Sequence, residues 1–332
     1  MFNKSRIVLI SAATELYSVK FLLGCLIPML VACSSTPSTE QKSKFGESTS
    51  NFSDKWSQQD IDETEVIADM HYDNGELDQA LYLYLRALET NPNSAVLYYK
   101  IGRVHRRASK PKLAALAFAQ AVELEPDNIQ ILQAAGQLAL SERNIVAATE
   151  YLTKSVLIDK RRFDGDNEPE LDQKSPYKAY IGLGLIADLK GDHPRAKGYF
   201  GTASLIRPEL PEIANNIGYS WYLSGRWNKA EQYFQRALDL DSHYELARHN
   251  LALLYVRTER TEKALAILWE DNNQPSTYNT LGYLCMLNSK YVEAEKYFQL
   301  AIDASPVYHS LANVNLNRAR ALNRPKHQLF SP

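Results

Sequence analysis

The chain has 332 residues, 45% of them hydrophobic, which is too rich for a mainly disordered protein and ordinary for a folded one. Its 37 Lys and Arg nearly balance its 39 Asp and Glu, and a net charge of -2 argues against a nucleic-acid partner, which needs clustered positive charge. Twenty Tyr against 14 Gly favour helical packing with aromatic contacts over a loop-rich enzyme, and the longest apolar run is too short for a multi-span membrane protein.

Lys4, Arg6 and Lys20 precede the apolar run Phe21 to Ala32. Twelve mostly apolar residues do not span a bilayer, but they suit the core of a secretory signal peptide. The run ends Leu30-Val31-Ala32-Cys33, which resembles the bacterial lipoprotein box. The resemblance implies cleavage before Cys33, acylation of its sulfur and new N-terminus, and, with Ser34 next, an outer-membrane address. Two or more acyl chains hold a protein firmly where one does not. Residues 1–32 are thus expected to be a lipoprotein signal peptide and 33–60, rich in Ser, Thr and Gln, a flexible membrane tether. Cys285 then has no intrachain partner, and its setting, LGYLCML, reads as a small buried hydrophobe.

From Ile61 the sequence repeats. Ala80, Tyr84 and Ala87 are echoed by Ala114, Phe118 and Ala121 thirty-four residues on, later by Ala196, Phe200 and Ala203, by Ala230, Phe234 and Ala237, and by Ala294, Phe298 and Ala301. The first half of each unit carries its own mark: Ile101-Gly102, Ala135-Gly136, Leu183-Gly184, Ile217-Gly218, Leu251-Ala252, Leu281-Gly282. Small residues let two amphipathic helices cross closely. Gly75, Gly191 and Gly225 turn the chain between them, and Pro near position 32 ends the second helix. The aromatic at position 24 is expected to contact the following unit.

This 34-residue helix-turn-helix period resembles the tetratricopeptide repeat. The implied fold is an all-α solenoid of seven copies: 61–94, 95–128, 129–162, 177–210, 211–244, 245–274 and 275–308. The domains are then repeats one to three over 61–162, an acidic insertion at 163–176, repeats four to seven over 177–308, and a capping helix and tail over 309–332. Ser175-Pro176 reads as an N-cap followed by Pro in the first turn of the fourth repeat.

Chemical motifs are sparse. Gly182 to Ala187 fits G-x-G-x-x-A, yet it lies inside a helix, with no strand before it. Ser175 and Lys178 have the S-x-x-K spacing without further motifs, and His71 and His105 share position 11, normally a packing site. No catalytic residue, metal site or cofactor is expected.

In the tetratricopeptide family the concave groove is lined by the first helices, chiefly at positions 2, 5, 9 and 12. Carried onto this chain, the resemblance implies a partner-binding groove of Tyr99, Arg103, Arg106, Asn215, Tyr219, Tyr222, His249, Leu253, Asn279, Tyr283 and Met286. Asn can pair with a peptide backbone, and Tyr and Met offer adaptable contact area. The stretch Asn215 to Tyr219, then Ser224-Gly225-Arg226, then Ala247 to Tyr255 is similar to the TadD lipoproteins of the Tad/Flp (tight-adherence) pilus machinery. That resemblance implies a periplasmic, lipid-anchored scaffold that binds proteins, with a secretin or other pilus components as partners. The alternatives are a PilF/PilW-like pilotin of type IV pili, an adaptor in cell-wall or outer-membrane biogenesis, and a subunit that presents substrate to a periplasmic enzyme.

Overall fold

The structure, a computed structural model, describes residues 58–162, 171–269, 273–307 and 309–323. Cys33, the signal segment and most of the tether lie outside the described residues, as do residues 163–170 of the acidic insertion.

The described residues are all-α and contain no strand. Fifteen helices run along them. They pair as α1 (Gln58–Asp73) with α2 (Leu77–Thr90), α3 (Ala95–Arg107) with α4 (Pro111–Leu124), α5 (Ile129–Ser141) with α6 (Ile145–Arg161), and α7 (Tyr177–Leu189) with α8 (His193–Ile206). Then follow α9 (Pro211–Leu223) with α10 (Trp227–Leu240), α11 (Glu245–Arg257) with α12 (Thr261–Leu268), α13 (Gln274–Leu287) with α14 (Tyr291–Asp303), and α15 (Ser310–Asn323) alone. Two compact units divide between Leu124 and Glu125. One holds α1–α4 and the other α5–α15, each built as a solenoid stacks hairpins.

Small residues set the packing. Ala80, Ala114, Ala148, Ala196, Ala230, Ala264 and Ala294 hold the same place in all seven hairpins, and each is 0% exposed, so a larger side chain there would have to displace packed neighbours. The four position-24 phenylalanines do not serve the next repeat alone; each sits over the glycine of its own hairpin. A Cβ on Gly102, Gly184, Gly218 or Gly282 would come within 2.5–2.7 Å of Phe118, Phe200, Phe234 or Phe298. The ring is wide enough to fill the gap left by the missing Cβ, and burying it contributes roughly 1.5–3 kcal/mol. In the third hairpin Leu152 does both jobs, reaching Gly136 in its own unit and Gly182 in the next.

Every hairpin turns through one residue in the left-handed region. It is Gly75, Gly191 and Gly225 where the sequence offers glycine, and Ser109, Arg143, Glu259 and Ser289 where it does not, with φ between 56° and 84° throughout. Helix starts are capped locally: Ser94 accepts from the Leu97 N–H, Asn128 from Gln130 and Ile131, Asn144 from Ala147, and Asp192 from Arg195. Ser175 departs from the expected N-cap. The residue flanking α7 is Pro176, with no side-chain cap. The Ser175 hydroxyl instead accepts from the Asp172 N–H at 3.2 Å, while Asp172 accepts from the N–H groups of Lys174 and Ser175. Arg162 joins this turn to α6, donating to Asp172 and to the buried carboxylate of Asp159. The two ends of the insertion are thereby clasped to each other. The charged hydrogen bonds from Arg162 hold the Asp172 carboxyl down at about 2.

Candidate partner-binding surface

The first helices of the hairpins carry the expected groove residues, and the two units carry them differently. In the unit of α1–α4, Tyr99, Arg103 and Arg106 all lie on α3 and are half-buried. Arg103 is gripped by rings: its guanidinium carbon stands 4.4 Å from the Tyr72 centroid and 5.8 Å from that of Tyr99. Arg107 stacks on the same Tyr72 ring at 5.0 Å and donates to the Tyr72 carbonyl. One turn earlier Lys100 bridges Glu65 at 3.0 Å and Asp69 at 2.8 Å, and the Tyr84 hydroxyl donates to Asp69. Burial and that hydrogen bond push the Tyr84 hydroxyl well above the usual phenol range. Tyr72 is therefore part of this face, although sequence reasoning passed over it. Its place at position 12 of the first copy was the available clue.

In the unit of α5–α15 the remaining eight residues divide by burial. Tyr222, His249 and Asn279 are half-buried and Tyr283 is 37% exposed. Asn215, Tyr219, Leu253 and Met286 are buried, at 1%, 8%, 4% and 6% exposure, and so support the face from beneath instead of presenting area on it. The reason is that successive first helices pack side by side, and each covers part of its neighbour's inner face. Asn215 is consumed by that contact: its carbonyl accepts from the Asn250 amide of the next repeat at 2.8 Å. Asn279 repeats the device, accepting from Asn315 of α15 at 3.0 Å. Tyr219 lies parallel to Tyr222, centroids 5.8 Å apart at 14°, and Tyr222 meets Trp227 edge-on at 5.4 Å. Burial pushes both phenols up. Trp227 was not foreseen, because it stands at the start of a second helix.

A polar knot at the α7–α9 contact also escaped sequence reading. Asp188 is 5% exposed, and its Oδ1 accepts from the buried Ser220 hydroxyl at 2.9 Å and from His193 Nδ1 at 2.8 Å. Burial raises the Asp188 carboxyl above the usual range, and the His193 and Ser220 bonds partly offset that. Lys197 stands nearby, 4.3 Å from the Trp221 centroid. Ser, His and Asp meet here in the wrong order for acyl transfer, since the Ser220 hydroxyl donates to Asp188 and to the His193 backbone carbonyl and not to the His193 ring. The clue was an acid inside the apolar run of α7.

His71 bonds Glu76, and His105 keeps a buried Nδ1 without a partner, its ring held toward the neutral form by burial and Lys110. Among the described residues no three His, Cys, Asp or Glu are grouped to hold a metal ion, and no helix is long and apolar enough to cross a membrane. Cys285 is buried, and burial pushes its thiol up to about 12.

Comparison with known proteins agrees on the repeats. Tetratricopeptide-repeat family models match residues 68–107, 181–245, 222–281 and 275–308. The cell division cycle protein 16 homolog of Mus musculus is 24% identical over 282 residues, covering 74% of this chain and 45% of its own length. The chain spans less than half the length of the curated relatives it matches. Among solved structures, a tetratricopeptide repeat protein from Parabacteroides merdae superposes with a TM-score of 0.57 at 15% identity, covering 79% of this chain and 99% of that one. PilW, a widely conserved type IV pilus biogenesis factor, gives 0.51 at 15% identity, covering 78% and 99%. These likenesses concern the fold.

Proposed function

We propose that this chain, an all-α array of tetratricopeptide repeats, is a lipid-anchored scaffold that binds proteins during assembly of a Tad/Flp-type pilus, at the periplasmic face of the outer membrane. The observation that carries the scaffold reading is the accessible set on the first helices: Tyr99, Arg103 and Arg106 in one unit, and Tyr222, His249, Asn279 and Tyr283 in the other. Aromatic rings with two torsions and an arginine held by stacking lose little freedom when a partner arrives, so their contacts convert efficiently into affinity. The membrane address rests on the Cys33 lipoprotein box and Ser34. The pilus assignment rests on the resemblance of Asn215–Tyr219 and Ala247–Tyr255 to the TadD lipoproteins. The PilW likeness in fold keeps a type IV pilotin as the second reading.

Crosslinking in intact cells, capture of the native lipoprotein from membranes and mass spectrometry test this directly. Recovery of a secretin or of pilus assembly proteins supports the reading. Recovery of cell-wall enzymes alone refutes the pilus role and leaves an envelope adaptor. Cys33→Ser is expected to move the chain out of the membrane fraction, and a variant that stays in the outer membrane would refute the anchor.

A further inference from the structure

Both ends of the array expose an apolar helix face. On α1, Val66, Ile67 and Met70 are 60%, 48% and 61% exposed and lie on one side of the helix. On α15, Leu311, Val314 and Leu322 are 54%, 63% and 44% exposed, and the exposed Arg318 lies within their stripe. The opposite side of α15 buries Ala312, Leu316 and Ala319 against α13 and α14. Terminal helices of a repeat array need a polar outer face to remain single. These two are apolar, so each exposes a surface that a further helix would cover.

Their charges are opposite. Residues 58–73 contain no Lys or Arg; Glu65 and Asp69 are engaged by Lys100, and the exposed Glu63 and Asp73 border the apolar face. The sequence of α15 carries Arg318 and Arg320 with no acid; Arg320 stands 3.9 Å from Glu295 of α14, and Arg318 is the basic group within the apolar stripe. Two α1 faces would oppose their acidic rims, and two α15 faces would bring Arg318 against Arg318. An α15 face against an α1 face matches apolar to apolar and basic to acidic. The helices are also of similar length, 14 and 16 residues.

We propose that the array associates head to tail, with α15 of one copy packed on α1 of a second copy. Such an interface is heterologous: it leaves one head and one tail uncovered, so it propagates beyond the dimer unless it closes on itself. The charged border makes association weaken as salt rises.

Sedimentation velocity of the full chain in detergent micelles, over a wide range of concentration and salt, tests this. The expected result is a series of species that lengthens with concentration and shortens with salt. Val66→Glu with Met70→Glu blocks the head, and Val314→Glu with Arg318→Glu blocks the tail. Each variant alone should be monomeric, and their equimolar mixture should form dimers and stop there, because one intact tail meets one intact head. A native chain that stays monomeric, oligomers that survive either block, or a mixture that remains monomeric would overturn the proposal. Circular dichroism checks that the helices persist. If they do not, Arg318→Gln and Asp73→Asn serve instead, with weaker and less salt-dependent association expected and unchanged association refuting.

Discussion

The hairpin of α7 and α8 contains its own control for the packing argument. Gly198 and Gly201 lie inside α8, and a Cβ at either would meet nothing within 4 Å. Glycine inside a helix costs about 0.8–1.0 kcal/mol relative to alanine, so Gly198→Ala or Gly201→Ala should stabilise by up to about that amount. Gly184 lies inside α7, where the same helix preference applies. Its Cβ, however, would fall 2.5 Å from Phe200 Cε1, 2.7 Å from Cδ1 and 2.8 Å from Cζ. Phe200 is 0% exposed, with Ala196 and Ala203 beside it on α8 at 0% as well, so the ring has no room to retreat. Overpacking of this kind costs about 1–3 kcal/mol, and subtracting the helix gain leaves Gly184→Ala destabilised by about 1 kcal/mol. For an array of this size that is a melting-temperature drop of about 2–4 °C. Phe200→Leu in the Gly184→Ala background should cost less than Phe200→Leu alone, because it removes the clash while it opens space. Urea titration followed by circular dichroism reads all of these. A Gly184→Ala variant as stable as Gly198→Ala would refute the claim that the missing Cβ sets the helix crossing.

The turns offer a second contrast: Ser109→Gly and Ser289→Gly should each stabilise by about 1 kcal/mol, by relieving a left-handed residue, and Gly191→Ala should lose a similar amount, both read as shifts in urea midpoint. Asp188 predicts a pH effect. Its folded carboxyl titrates above the unfolded value of 3.8, so between the two the folded state binds more protons, and stability should fall as pH rises through that window and level off above it. Asp188→Asn should remove that part of the pH profile, and an unchanged profile would assign the effect elsewhere. The Asn215–Asn250 pair predicts non-additivity, since Asn215→Leu alone strands the buried Asn250 amide and should cost about 1–3 kcal/mol, whereas Asn215→Leu with Asn250→Leu should cost far less. A double-mutant cycle measures it, and additive losses would show that the bond carries no coupling.

Elements that need a residue to be absent or small were the legible ones. Alanine at position 20 and glycine at position 8 admit few substitutes where helices cross, so their spacing alone placed the hairpins. The left-handed turn was legible only in Gly75, Gly191 and Gly225. Ser109, Arg143, Glu259 and Ser289 adopt the same conformation at a cost that the surrounding helices outweigh, and nothing in their side chains announces it. Ser175 misled for the opposite reason. A serine before a proline is a good cap, but Asp172 and Arg162 offered its hydroxyl a different bond. Depth was the hardest property to read from the candidate face. Helical periodicity says that Asn215, Tyr219, Leu253 and Met286 point inward. How far the next first helix covers them depends on the rotation between repeats, which no single copy encodes.

On the proposed reading, the same rotation decides which residues of the face a partner would reach. Where the next helix covers position 5, an asparagine serves the array, as Asn215 and Asn279 do through Asn250 and Asn315. Recognition then passes to residues nearer the edge. In the unit of α5–α15 these are the ring of Tyr222, wedged between Tyr219 and Trp227, and the open Tyr283. They offer flat apolar area with a hydroxyl at its rim, which suits the side chains and backbone of a peptide. In the unit of α1–α4 the corresponding place is taken by half-buried Arg103, whose guanidinium lies against the rings of Tyr72 and Tyr99 and bonds the Tyr72 side chain. An arginine fixed in this way is a donor for carboxylates and carbonyls. On the proposed reading each unit offers its own chemistry, the unit of α1–α4 to an acidic segment and the unit of α5–α15 to an apolar one.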